Sequence, residues 1–152
     1  PQTNPNGDVV FIATPGDHEG ISATDGIERV DLASGEATLI LDETQLGGSA
    51  LSIVIASPSE GYAIVGGPVA DVNPTKVVAF DPSAGTVTRT LTEASRFVHA
   101  GLAIDGAYLI VGDRSSERPR LRLFDRATGE EGPSIPVTQY APVALSTGVQ
   151  IR

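Results

Sequence analysis

The sequence predicts an all-β protein built from a repeated four-stranded antiparallel unit. Three observations carry this. Glycine (17) and proline (11) together make up 28 of 152 residues, which favours short strands and many turns over helices. Short apolar runs recur along the chain, and no segment of useful length has helical periodicity; the best helical candidate, Glu93 to Val98, is too short to stand alone. Finally, a strand ending in Asp, followed by three residues and a Gly, occurs three times.

The three copies are Ile27 to Gly35, Val77 to Gly85 and Leu121 to Gly129. Their aspartates, Asp31, Asp81 and Asp125, are 50 and 44 positions apart. Each Asp is expected to accept hydrogen bonds from backbone N–H groups just ahead of it, and each Gly to supply the positive φ that closes the turn. The Asp-x-x-x-Gly units are therefore read as β-turns rather than ligand sites.

A near-continuous apolar strand precedes each turn unit: Val9–Thr14, Tyr62–Gly66 and Tyr108–Gly112. Such runs fit strands covered on both faces by stacked sheets. A further strand comes before that in two copies, Leu51–Ala56 and His99–Ile104. A fourth follows the turn: Glu36–Leu41, Thr86–Leu91 and a weaker one near Ser134–Val137. The order of strands a, b, c and d with a period of about 40 to 50 residues is that of β-propeller blades.

The first copy begins at strand b, so its strand a is read as missing, while residues 142–146 read as a strand a with no blade after it. The expected division is a first blade over about 1–44, completed by strand 142–146 of this or another chain, a second over about 45–95 and a third over about 96–141. Propellers typically close with four to eight blades, so three make a partial one. Six result if two copies, or two halves of a longer protein, pair. The chain begins at Pro1 and contains no Met, so it is read as trimmed or taken from a longer polypeptide.

Composition narrows the function classes. At 40% hydrophobic residues the chain can build a core. No apolar run approaches the length of a membrane-spanning helix. With no Cys there is neither a disulfide framework nor a thiolate site. The net charge is -9, which disfavours non-specific nucleic-acid binding. Residues 1–76 hold eleven acidic residues against two basic ones, Arg29 and Lys76, whereas residues 77–152 hold eight of each. Half of the ten basic residues are Arg114, Arg118, Arg120, Arg122 and Arg126.

Three groups of side chains are candidates for chemistry. Asp17, His18 and Glu19, in a loop between strands b and c, offer oxygen and imidazole ligands to a divalent cation such as calcium, although adjacent residues seldom converge on one point. His99 opens a strand a, the strand that lines a propeller channel. Arg120 and Arg122 alternate with Leu121 and Leu123, giving one strand face two guanidinium groups. With Arg114 and Arg118 they form a candidate surface for an acidic ligand or another protein, or else a polar face neutralised locally by Asp113, Glu117 and Glu130.

The strand–Asp–turn–Gly–strand pattern resembles the blades of the YVTN, NHL and gluconolactonase-like propeller superfamily over almost the whole chain. WD-repeat and kelch signatures are lacking. Gluconolactonase-like members hold a metal through Glu, Asn and Asp, a set that does not map onto Asn4, Asn6 and Asn73. The expected role is a non-catalytic binding or assembly module, extracytoplasmic in a bacterium, partnered by a second copy or a complementary half. The alternatives are a metal-dependent lactonase or hydrolase completed by another half, and a purely structural self-assembling half-propeller.

Overall fold

A computed structural model of the chain describes residues 2–3, 8–14, 21, 23–66, 74–94, 98–114 and 118–137. The chain forms two compact units, Pro1–Phe97 and Val98–Arg152. Among the described residues there are three four-stranded sheets in which every pairing is antiparallel, the architecture of a partial β-propeller.

The first sheet runs β1 (Gln2–Thr3), β2 (Val9–Thr14), β3 (Gly26–Asp31), β4 (Ala37–Asp42). Strands b, c and d are where the sequence puts them. The edge expected to lack a strand a instead carries the two-residue β1, with Gln2 opposite Phe11 and Thr3 opposite Val10. Segment 142–146 lies outside the described residues.

A single helical turn, α1 (Glu43–Leu46), follows β4 and was not expected. Its cause is local. Asp42 Oδ1 accepts from the Gln45 amide at 2.7 Å, and Gln45 Oε1 accepts from the Asp42 amide at 3.0 Å. This reciprocal capping box satisfies donors that a helix start leaves unpaired. Gly47, at φ 70°, ends the turn.

The second sheet is a complete blade: β5 (Ser49–Ser57), β6 (Glu60–Gly66), β7 (Thr75–Asp81) and β8 (Thr86–Ala94). Its central strands are the most apolar stretch of the chain, and Tyr62, Ala63, Ile64, Val65, Val77 and Val78 are all buried. The start of the helical candidate at Glu93 belongs instead to β8. Sheets one and two share one hydrophobic cluster in which Val9, Phe11, Ile27 and Leu41 meet Ile53, Ala63, Val78 and Phe80. Each of the first two sheets thus uses a face for stacking, as blades do.

The third sheet, in the second unit, runs β9 (His99–Asp105), β10 (Tyr108–Asp113), β11 (Arg120–Asp125), β12 (Ile135–Pro136).

All three Asp-x-x-x-Gly units are turns. Asp31 Oδ1 accepts from the Ala33 and Ser34 amides at 3.0 and 2.9 Å, Asp81 Oδ1 from Ser83 and Ala84 at 2.8 and 2.9 Å, and Asp125 Oδ1 from Thr128 at 2.8 Å. In each, the Gly amide donates to the Asp carbonyl, at 2.8, 2.9 and 2.7 Å. These contacts hold the Asp31 carboxyl below its ordinary value, the Ser34 amide contributing most.

The repeated glycines are not equivalent. Gly35 (φ 72°) has open space where a side chain would go, whereas a methyl on Gly85 (φ 62°) would lie 2.6 Å from the Ile40 carbonyl oxygen of the neighbouring sheet. Gly35→Ala is expected to cost about 1 kcal/mol, for left-handed backbone alone. Gly85→Ala is expected to cost about 2–3 kcal/mol, because the turn must also withdraw from β4. Urea unfolding midpoints of the two variants test the difference.

Candidate functional site

Every candidate side chain that falls among the described residues belongs to the second unit: His99, Arg120 and Arg122 lie on its strands, and Arg114 and Arg118 in the connection between β10 and β11. Residues 120, 122 and 124 share one face of β11 through the two-residue strand repeat. The register places Asp113 opposite Arg120, Val111 opposite Arg122 and Leu109 opposite Phe124. A bulge at Gly112/Asp113 brings His99 opposite Asp113.

On this face the charges are spent on one another. Arg120 Nε donates to Asp113 Oδ2 at 3.2 Å; Asp113 is buried and Arg120 half-exposed. Arg122 makes a two-pronged pair with Glu131, Nε to Oε1 at 2.7 Å and Nη2 to Oε2 at 2.6 Å. Its guanidinium also lies 5.1 Å from the centre of the Phe124 ring, within cation–π range. The chain leaving the Asp125 turn positions Glu131, which forms an isolated bridge with Phe124. Glu131 is therefore the partner of Arg122, rather than the adjacent Glu130 expected from sequence.

Arg122 Nη1 lies 3.3 Å from His99 Nε2. A guanidinium only donates, so in this contact Nε2 is the acceptor. His99 is fully buried, so it does not form part of an open binding surface. Bonding to Glu131 raises Arg122 above its ordinary value, and the same bond holds the Glu131 carboxyl below 4.5, the ordinary value. Both shifts favour the charged pair.

Arg114 is half-buried, and its amide donates to the Val98 carbonyl at 2.8 Å; Arg118 is exposed. Within the predicted arginine surface, then, the two central guanidinium groups are tied to carboxylates of their own unit. The geometry can hold strands β9, β10 and β11 in register. It does not present Arg122 to an incoming anion.

Asp17, His18 and Glu19 lie outside the described residues. Among the described residues no three His, Asp or Glu side chains gather as a metal site. No described helix is long and apolar enough to cross a membrane.

No protein-family model and no curated protein matches the chain. Solved structures do. The apo structure of AztD from Citrobacter koseri matches with a TM-score of 0.53 at 15% identity, and a crystal structure of the same protein matches with 0.54 at 13%. Each match covers 76% of this chain and 30% of AztD. The likeness is one of fold, and it supports the propeller-blade architecture. This chain spans less than a third of the length of AztD.

Among the described residues of the first unit are two cavities that sequence reasoning did not find. One, of about 420 Å³, is bordered by Gly47, Pro74, Thr75, Lys76 and Glu93. Lys76 and Glu93 stand opposite each other on β7 and β8, so this cavity carries both signs of charge. The other is lined by Arg29. The available signal was the charge count, since Arg29 and Lys76 are the two basic residues of the acidic half.

Proposed function

We propose that this chain is a non-catalytic propeller module that works by assembling with a second copy of itself, blade one of each copy against blade three of the other. The observation that carries this reading is a pair of apolar sheet faces that are left partly exposed. On the first sheet, the face opposite the shared core holds Val10, Val30 and Ala37 in one row and Ile12, Glu28 and Leu39 in the next. None of these six is buried, and Leu39 is 37% exposed. On the third sheet, the face opposite Arg122 holds Ile110 and Leu123 in one row, Leu121 and Ile135 in another, and Tyr108 at the edge. Tyr108 and Ile135 are 44% and 51% exposed.

Contiguous apolar faces of this kind mark interaction surfaces. The stacking of sheets one and two supplies a pattern for covering them. The extracytoplasmic, bacterial setting implied by the superfamily resemblance belongs to this reading, and fractionation of expressing cells tests it.

Light scattering on a sizing column tests the assembly. The expected mass is about twice the 15.7 kDa of the chain, falling to one chain for Ile12→Glu and for Leu123→Glu. A wild-type monomer at about 0.1 mM, or charge variants that dimerise as wild type does, overturns the reading.

A further inference from the structure

We propose that the cleft between the first two sheets binds a small monocarboxylate with an apolar body, its carboxylate held by Arg29 and Thr38. The inference is separate from assembly, because both walls of the cleft belong to one compact unit of one chain.

The cleft measures about 400 Å³, near the small end of ligand pockets, which run from about 300 to 1,000 Å³. Its apolar walls come from Phe11 and Ile40 on one sheet and from Ile55, Pro58 and Pro82 on the other. Among the described residues of the lining, Arg29 is the one that carries a charge. Strand register accounts for its position: Phe11, Arg29 and Thr38 stand opposite one another across β2, β3 and β4, on the face that packs toward the second sheet. Arg29 and Thr38 are both exposed, so the guanidinium stands at the solvent-side rim of the stacking face, beside the buried Phe11.

Its charge is uncommitted. Among the described residues Arg29 has no ion pair and no hydrogen-bonded carboxylate, even though acidic residues dominate its half of the chain. Asp31 feels its field, but Asp31 Oδ1 is taken by the turn amides. The polar lining also includes two hydroxyls. Ser83 Oγ donates to the Pro58 carbonyl at 2.6 Å, so its proton is spent. Thr38 has no such commitment and sits directly opposite Arg29, within the roughly 4.5–5.5 Å Cβ separation of cross-strand neighbours. The pair offers a guanidinium fork and one hydroxyl proton, which suits the two oxygens of a carboxylate. A phosphate dianion fits poorly, since there is one cation and most of the wall is hydrocarbon. One ring or one branched chain fits the remaining space.

The probe is 3-phenylpropionate, compared with its neutral amide, by titration calorimetry on the full chain. An acid of this size is expected to bind with Kd on the order of 1 mM, and the amide at least tenfold more weakly. Arg29→Gln is expected to reduce acid binding at least tenfold with thermal unfolding unchanged, because Arg29 is solvent-exposed. Thr38→Val should give a smaller loss, and Lys76→Gln, at the other cavity, should give none. No heat from the wild type up to about 10 mM acid, equal binding of acid and amide, or undiminished binding by Arg29→Gln overturns the proposal.

Discussion

Phe80→Ala is expected to cost about 4 kcal/mol. Phe80 is 1% exposed and belongs to the cluster shared by the first two sheets. Its ring also roofs Gly61, its direct partner across β6 and β7. A methyl on Gly61 would lie 2.6 Å from the ring Cζ and 2.9 Å from both Cε atoms. The glycine is therefore there for space, and the aromatic ring covers backbone that a strand glycine would otherwise leave bare. Two residues in such contact must couple. Gly61→Ala alone should cost about 2 kcal/mol, by pushing the ring off its rotamer. In a Phe80→Ala background it should cost close to nothing, or gain, because the methyl then fills part of the void. A double-mutant cycle by urea denaturation measures this, with a coupling of about 2 kcal/mol expected. Additive costs would show that Gly61 and Phe80 do not share the space the register gives them.

The blade plan was legible because period, strand character and turn chemistry all point the same way in this sequence. Asp31, Asp81 and Asp125 carry their turn function within four residues, so nothing distant needed to be known. What stayed hidden depends on contacts across the sheets. β1 has two residues, too few for any alternation to show. α1 has four, and its one readable sign was the Asp42…Gln45 capping box, which periodicity does not detect. The roof of Phe80 over Gly61 joins positions 19 apart, a pairing that only the β6–β7 register reveals. Glu130 and Glu131 are adjacent and identical in type, and choosing between them requires knowing how the chain turns after Gly129. The arginine alternation on β11 was read correctly as one face. That local carboxylates close this face was one of the two readings the sequence offered, and Asp113 pairs with Arg120 accordingly; that Glu131 takes Arg122 follows from the fold.

Glu131→Gln is expected to cost about 2 kcal/mol at pH 7. The Arg122 side chain is only 12% exposed, so it cannot regain full hydration when its carboxylate is lost. Breaking a wholly buried pair costs about 3–5 kcal/mol, and the 36% exposure of Glu131 lowers that figure. The cost should depend on pH in one direction. The folded Glu131 carboxyl lies below its ordinary value of 4.5, so its contribution is complete above that value and is lost as pH falls through the folded one. Wild type and Glu131→Gln should therefore converge in stability on acidification below about pH 4.5, since wild type then carries a protonated, uncharged side chain as well. Arg122 stays charged throughout and adds no slope of its own. Arg122→Lys should be the more damaging change at neutral pH. An ammonium cannot hold both oxygens of Glu131, donate to His99 Nε2 and lie over Phe124 at once, so three contacts of one planar group are weakened together. Thermal unfolding from pH 3 to 8 checks both variants. A Glu131→Gln deficit that persists undiminished at pH 3 would show that the side chain acts through packing, and that the ion pair does not hold this sheet in register.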